Sequence, residues 1–423
     1  MGRTSRNRPD RFRPPPVERI ELNEEHLGRR LLIAGVFLVV GAVLITFSLV
    51  RFLTPASGWQ TIQANGTGEP SCAADFTFLY EAASSEDAKD AAARYTEACQ
   101  RAYRLFLCQE GFEGVVNVYT INHRPNEVLM VDPALYAALS TAVEGGRREL
   151  YLGPVYSRWN DLFFCQEDGQ LAFYDPRISE DVAREYREVL SFANAPEAVD
   201  LELLEGNQVY LRVSEDYLAY AEREGIDRFL DFGWMKNAFV ADLVAEELTA
   251  GGITQGVLSS FDGFTRNLDG REGTYDYPLH HRRDGAVWLA GNLRYQGPKS
   301  LVCLRDFAAN ERDMERFYTL QNGEVRTPYL DTADALCKNA LSSLVCYDRE
   351  RTCGQLLMEM LPVYIADGPF GSEDAAALAD RGVEAVFCQG TVVYYTDEQA
   401  VLTDLMDLTE AGGVRYTAEL VRP

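Results

Sequence analysis

Apolar residues recur at helical spacing in several segments of the chain and alternate with polar residues in others. Helical spacing predicts helices at 85–106, 132–146, 179–193, 352–364 and 372–381, and another helix that ends at Gly251 and Gly252. Alternating or continuous apolar runs predict strands at 74–82, 115–122, 198–213, 253–264, 286–295, 299–308, 340–348 and 385–398. Because helices and strands mix without a regular alternation, we predict an α+β fold built on a mixed sheet.

The segment LLIAGVFLVVGAVLITFSLV, residues 31–50, carries no charge over twenty positions. A helix of that length spans about 30 Å, the thickness of a bilayer core. An arginine-rich tail precedes it, and the positive-inside rule places such a tail in the cytoplasm. We therefore predict a single-pass protein of the cell membrane, with a cytoplasmic tail (1–30), a transmembrane signal anchor (31–52), a tether (53–70) and an extracytoplasmic domain (71–423).

Composition limits the classes of partner and of structural site. The 423 residues carry a formal net charge of −25. Nucleic acid is therefore not an expected partner, because binding its phosphates needs clustered lysine and arginine. The nine cysteines form no CxxC motif, and several lie in apolar runs. This pattern favours buried free thiols over disulfides or a structural metal site.

Two short segments raise candidate chemistry. LDFGWMKNAFVAD, residues 230–242, reads as an extended run followed by a helix start, with Gly233 and Lys236 near the join. Turns of this kind can bind phosphates, although Trp234 stands where a small residue would be expected. The pair His280 and His281 is interpreted as part of a solvated loop, with metal or anion binding as the alternative.

Four segments follow motifs of one known protein family. GGRRELYLGPVYSRW, residues 145–159, resembles Gly-Gly-x-Phe-Asp-Pro-Thr-x-Gly-Pro-Leu-x-x-x-Trp and places Glu149 at the motif's Asp. DFGWMKNAFVAD, residues 231–242, resembles Asp-Leu-Gly-Gly-Ile-Ala-Lys-Gly-Tyr-Ala-Val-Asp and keeps Gly233 and Asp242. SSFDGF aligns Asp262 with a Gly-Gly-Asp loop, and TPYLDT keeps Asp331 of His-His-Ile-x-Asp-Pro. Together these motifs resemble the FAD:protein FMN transferase family, ApbE.

The resemblance implies a flavin-transferase-like domain with FAD as its cofactor. It also implies ligand-binding roles for the positions that are kept, namely Gly233, Glu149, Asp242, Asp262 and Asp331. NERDMERF, residues 310–317, further resembles the family's Ser-Gly-Asp-Tyr-Glu-Arg.

The chain departs from the family at the positions that carry chemistry. Asn237 replaces the lysine of the signature and Pro328 replaces a histidine, so the resemblance leaves the catalytic groups unassigned. Gly354 and Met358 stand where the family has its magnesium-binding Asp and Thr, and neither offers a hard side-chain oxygen. Lys236 is the candidate substitute for the lysine, but at helical spacing it would point about 100° away.

These departures favour a degenerate, non-catalytic relative that acts as a binding or scaffold module. FAD or an extracytoplasmic protein is the expected partner, and magnesium has no ligands at the two substituted positions. One alternative is an active transferase that moves FMN to Thr or Ser through shifted residues such as Lys236 and Asp331. The other is an envelope interaction domain without a flavin role, in which Trp234 and Phe261 close the pocket.

Overall fold

The computed structural model of the chain describes residues 58–271, 273–411 and 413–422. The helices are α1 (Ser85–Phe106), α2 (Val118–His123), α3 (Pro133–Glu144), α4 (Gly153–Asp161), α5 (Glu180–Ala193), α6 (Glu215–Glu224), α7 (Lys236–Ala250), α8 (Cys353–Tyr364) and α9 (Ser372–Asp380). The strands are β1 (Gly58–Ile62), β2 (Phe76–Ala82), β3 (Val128–Met130), β4 (Val199–Leu204), β5 (Gln208–Val213), β6 (Gly256–Ser260), β7 (Phe264–Asn267), β8 (Thr274–Arg283), β9 (Ala286–Gln296), β10 (Lys299–Arg305), β11 (Tyr318–Thr319), β12 (Val325–Arg326), β13 (Ser343–Asp348), β14 (Glu384–Gln389), β15 (Val392–Tyr395), β16 (Val401–Thr403) and β17 (Thr417–Leu420).

A nine-stranded sheet forms the centre of the described chain. Its strand order is β1-β2-β6-β7-β10-β13-β14-β15-β17, with antiparallel neighbours except for the parallel pair β15 and β17. Successive strand residues point to opposite faces, so each strand contributes to two cores. Leu344 and Cys346 of β13 face the larger core, whereas Val345 and Tyr347 face a smaller one. The predicted mixed sheet and α+β fold are confirmed.

Helices α1, α7 and α8 cover one face of this sheet. The side chain of Ser84 accepts the backbone N–H of Asp87 and starts α1. Residues 237–245 of α7 are all buried, because this helix packs between α1, α8 and strands β6 and β7. The start of α7 lies beside the turn that follows β6, where Asn237 donates to Asp262.

The opposite face of the sheet is covered by a ribbon of strands. Strands β8 and β9 form a long hairpin, β16 pairs with β9, and their apolar side chains complete the smaller core. His281 lies on β8 and is only 6% exposed, and its Nδ1 is 3.0 Å from the Tyr416 hydroxyl. The interpretation of the histidine pair as a solvated loop is wrong, because β8 pairs with β9 along its whole length.

Two further local predictions differ from the structure. Residues 115–122 were expected to form a strand, but α2 occupies Val118–His123 because the Asn117 side chain accepts the Thr120 N–H at 2.9 Å and starts a helical turn. The predicted tether, 53–70, contains strand β1, which pairs with β2 in the main sheet. All nine cysteines are free thiols, and eight of them are buried.

No helix within residues 58–271, 273–411 and 413–422 is long and apolar enough to cross a membrane. This finding contradicts the predicted single-pass membrane localisation, which is corrected accordingly. The predicted cytoplasmic tail (1–30) and signal anchor (31–52) lie outside the described residues.

Candidate functional site

The turn that begins α7 is shaped by a glycine with a left-handed backbone. Gly233 has φ of 53°, and its N–H donates to Oδ1 of Asp231 at 2.8 Å. A Cβ added at this glycine would lie 2.6 Å from the ring of Tyr156, on α4. Backbone conformation and close packing therefore both require glycine here. Residues 233–235 form a single 3₁₀ turn that leads directly into α7.

A cleft of about 390 Å³ opens beside this turn and is named here the α7 cleft. Its lining residues include Asp75, Gly233, Trp234, Lys236, Asn237, Phe261, Asp262, Arg312, Glu315, Arg316 and Pro328. Lys236 therefore lines the cleft together with Asn237. Helical spacing set Lys236 about 100° from Asn237, yet both residues border the opening at the start of α7.

Asp262 is the centre of a buried polar network in the cleft wall. Its Oδ2 accepts from Asn237 Nδ2 at 3.0 Å and from Arg316 Nη1 at 2.5 Å. Gly263, with φ of 111°, lets the turn pass close to the carbonyl of Cys303, which a side chain would block. Asp262 Oδ1 and Asn237 Oδ1 are buried and have no hydrogen-bond partner among the described residues. A ligand or water donor at this wall would satisfy them.

Charges in the α7 cleft are partly compensated. Burial raises the pKa of the Asp75 carboxyl above its usual value, Lys236 opposes that rise, and Asp262 adds to it. The guanidinium of Arg312 donates to the backbone carbonyl of Ala74 at 2.7 Å, and this contact fixes the position of the side chain. Lys236 has no hydrogen-bond or ion-pair partner in the described part of the chain. Its ammonium group is therefore free to bind an anion.

Asp242 does not line this cleft but anchors the start of α8. Its Oδ1 accepts from the Cys353 N–H at 2.8 Å and from Arg266 at 2.5 Å, and its Oδ2 accepts from the Gly354 N–H at 2.8 Å. A carboxylate at a helix N-terminus stabilises the unpaired N–H groups there. Asp242 is thus a structural residue with both oxygens engaged.

The residues around Gly354 do not fit a magnesium ion. A Cβ at Gly354 would lie 2.8 Å from the ring of Phe239 and 3.2 Å from Asp242 Oδ2, so no side chain fits at this position without movement. Met358 presents a thioether, and its side chain packs against Gly145. Magnesium prefers oxygen ligands in octahedral geometry. No group of three or more His, Cys, Asp or Glu side chains arranged for a metal occurs among the residues that the structure describes.

Two other predicted positions lie outside the α7 cleft. Glu149 is 1% exposed and accepts from Arg147 at 2.7 Å. Asp331 accepts from Lys338 Nζ at 2.7 Å in the loop that follows Pro328. Of the five positions predicted to bind a ligand, Gly233 and Asp262 line the cleft, whereas Glu149, Asp242 and Asp331 do not.

Sequence analysis did not assign two residues that line the cleft, Asp75 and Arg312. Asp75 directly precedes β2 and reaches the cleft because β2 pairs with β6. Arg312 lies in the 3₁₀ turn Glu311–Arg316 after β10 and donates to the carbonyl of Ala74. The segment 310–317 was matched to a family motif, but no local signal marks the contact between Arg312 and the segment before β2.

No protein-family model matches the sequence, and no curated protein matches it either. Among solved structures, the chain is similar to the ApbE protein of Thermotoga maritima, with a TM-score of 0.51 and 13% identity over 78% of this chain and 94% of that chain. It is also similar to the flavin transferase ApbE of Vibrio cholerae, with a TM-score of 0.51 and 11% identity over 82% of this chain and 98% of that chain. The chain therefore has the mixed α+β fold of the ApbE flavin transferases.

Proposed function

We propose that the α7 cleft binds a flavin dinucleotide such as FAD through Lys236, without magnesium and without FMN transfer. The observation that carries this proposal is the arrangement at the start of α8. There Asp242 is engaged by Arg266 and two backbone N–H groups, and Gly354 is in contact with Phe239. The guanidinium of Arg266 and the N-terminus of α8 thus engage both oxygens of Asp242, the carboxylate that a metal would need as a ligand.

Binding of an anionic dinucleotide is supported by the cleft itself. Lys236 offers an unpaired ammonium group, and Arg316 and Arg312 lie on the same wall. Two buried carbonyl or carboxyl oxygens, on Asn237 and Asp262, lack partners among the described residues and can accept donors from a ligand. Phe261 borders the opening and supplies flat apolar surface for a ring, whereas Trp234 beside it is 7% exposed and is part of the core.

Absence of transfer activity is supported by chemistry. Moving FMN from FAD to a hydroxyl is phosphoryl transfer, which requires charge neutralisation on the phosphates and a base for the acceptor. Pro328, which borders the cleft, cannot act as a base. Two acidic side chains also line the cleft. Asp75 lies near Lys236, and Asp262 is bonded to Arg316.

A second candidate function is FMN transfer by shifted residues. One observation favours it: Lys236 lines the cleft although the sequence pattern pointed it away. Asp331, the second shifted residue in that hypothesis, is bonded to Lys338 and does not line the cleft. The hypothesis without a flavin role requires Trp234 and Phe261 to close the site, and a cleft of about 390 Å³ at that place weighs against it.

The experiment titrates FAD into the full-length protein and follows flavin fluorescence. Lys236→Ala should weaken binding about tenfold, the equivalent of one lost charge-assisted contact of ~1.4 kcal/mol. Lys89→Ala is the matched control, because Lys89 is an exposed lysine on α1 and should leave affinity unchanged. Equal affinity in both variants would remove Lys236 from the site.

The same protein is then incubated with FAD, magnesium and a peptide that contains Thr and Ser. We expect no FMN-modified peptide by mass spectrometry. Modification of the peptide would establish the second candidate function instead. Absence of FAD binding by the unmodified protein would overturn both flavin-related functions.

A further inference from the structure

A second cavity lies on the face of the sheet opposite α1, α7 and α8. It has a volume of about 800 Å³ and is named here the ribbon cavity, since the β8–β9 ribbon forms one wall. Val257 and Ser259 of β6, Thr265 of β7 and Cys303 of β10 form its floor. Leu258 points the other way, into the core beneath the helices. Phe261 is the one lining residue that the ribbon cavity shares with the α7 cleft, so the two are separate sites.

Aromatic side chains form the walls of the ribbon cavity. The rings of Tyr275 and Tyr295 are stacked, with centroids 5.7 Å apart and an interplanar angle of 30°. Trp59 meets Tyr275 edge-on, with centroids 5.9 Å apart. Trp59 is 47% exposed and the neighbouring Leu79 is 40% exposed, so the mouth of the cavity is apolar and open. Cavities of this size and lining are typical of sites for small aromatic molecules.

A buried arginine lies at the inner end of the ribbon cavity. Arg305 is 5% exposed; its Nε and Nη2 bind Asp313, and Nη2 also donates to the carbonyl of Phe261. The hydrogen bonds and the ion pair of Arg305 within the described part of the chain use Nε and Nη2 and leave Nη1 without a partner there. His280 also lines this end, and burial and the adjacent Arg305 lower the pKa of its imidazole, so it is neutral at pH 7.

The charges that line the cavity are paired. Asp313 compensates Arg305, and Asp269 binds Arg271 at 2.8 Å. Asp276 binds Arg294, also at 2.8 Å. A neutral ligand therefore meets no uncompensated charge, and an anion finds no uncompensated cation among the charges that line this cavity. The unpaired Nη1 of Arg305 calls for an acceptor on that ligand.

We propose that the ribbon cavity binds a neutral, planar aromatic molecule that carries a carbonyl acceptor. The ring lies among Tyr275, Tyr295 and Trp59, and the carbonyl oxygen accepts from Nη1 of Arg305. This site is independent of the flavin cleft and does not rest on the function proposed for it. Since its floor is one face of the main sheet, the cavity exists whether or not the α7 cleft is occupied.

The test uses 6-propionyl-2-(dimethylamino)naphthalene, a neutral fluorescent aromatic ketone whose emission shifts to the blue away from water. The full-length protein should bind it saturably at one site with a blue shift. Val257→Trp places a large side chain in the floor and should weaken binding at least about tenfold, the loss of ~1.4 kcal/mol. Val287→Trp is the matched control, because Val287 is 44% exposed on β9 and does not line the cavity.

A second variant keeps the test decisive if Val257→Trp does not fold. Trp59→Ala removes an exposed side chain from the mouth and should weaken binding severalfold without disturbing the fold. The anion 8-anilinonaphthalene-1-sulfonate should bind more weakly than the neutral ketone. Binding that neither Val257→Trp nor Trp59→Ala reduces would overturn the site. Tighter binding of the sulfonate would overturn its assignment to neutral ligands.

Discussion

The backbone N–H of Gly354 donates to Oδ2 of Asp242 at 2.8 Å, so the first turn of α8 is held by a carboxylate on α7. The ring of Phe239 lies against the same glycine. This contact places two helices in a fixed register and leaves no space for a side chain at residue 354. The same contact engages the Asp242 carboxylate, so this group is not available as a metal ligand.

Substitution of Gly354 should therefore destabilise the fold. Gly354→Ala introduces a Cβ 2.8 Å from the Phe239 ring, and we expect a loss of about 1–3 kcal/mol in the free energy of unfolding, as for other overpacked cores. Urea denaturation measures the change. Gly368→Ala is the control, because nothing lies within 4 Å of its added Cβ. Equal stability of the two variants would show that residue 354 is not tightly packed.

Gly233 combines a left-handed backbone with a close contact, and the two costs can be separated. Gly233→Ala should cost about 1–3 kcal/mol for the backbone strain plus a further loss from contact with Tyr156, and it should weaken FAD binding. Gly206→Ala has the same kind of backbone, with φ of 75°, but nothing within 4 Å. The difference in unfolding free energy between the variants measures the contact. No difference would mean that the Tyr156 ring moves aside.

Binding of FAD should depend on pH through Asp75. Burial raises the pKa of this carboxyl, so on acidification it takes up a proton and the α7 cleft loses a negative charge at a higher pH than usual. We expect FAD affinity to increase as pH falls through that pKa. Asp75→Asn should bind more tightly at pH 7, by about fivefold or ~1 kcal/mol, and should lose this part of the pH dependence.

Fluorescence titrations at several pH values measure this effect. Asp380→Asn is the control, because Asp380 is exposed at the end of α9 and lies outside the cleft. A pH profile of Asp75→Asn that matches the unmodified protein would show that another group controls binding.

Stability at mildly acidic pH should depend on His281. Burial, together with Arg283 and Arg282, lowers the pKa of this imidazole below its usual 6.5. The unfolded chain therefore binds a proton that the folded chain does not, and stability is lost as pH falls from about 6.5 toward the lowered value. His281→Phe removes this contribution, so its unfolding free energy should fall less between pH 7 and pH 5. Parallel pH profiles of the two proteins would contradict the assignment.

Local patterns predicted most elements but few of the contacts that build the site. The predicted helix at 85–106 is α1 as observed, because its apolar spacing and first-turn acids are local properties. Strand β8 was missed because YPLHHRR shows no clean alternation, and only pairing with β9 buries His281. The path of the 230–242 segment was predicted by its match to a motif, including Gly233. The direction of Lys236 was not, because it depends on a 3₁₀ turn before α7.

The most direct test of the account is an FAD titration of the full-length protein in EDTA and in millimolar magnesium. The arrangement of Asp242, Arg266 and Gly354 leaves magnesium no ligand at the start of α8, so the dissociation constant should be the same in both buffers. Binding that requires magnesium, or that tightens tenfold or more when it is added, would contradict a metal-free flavin cleft.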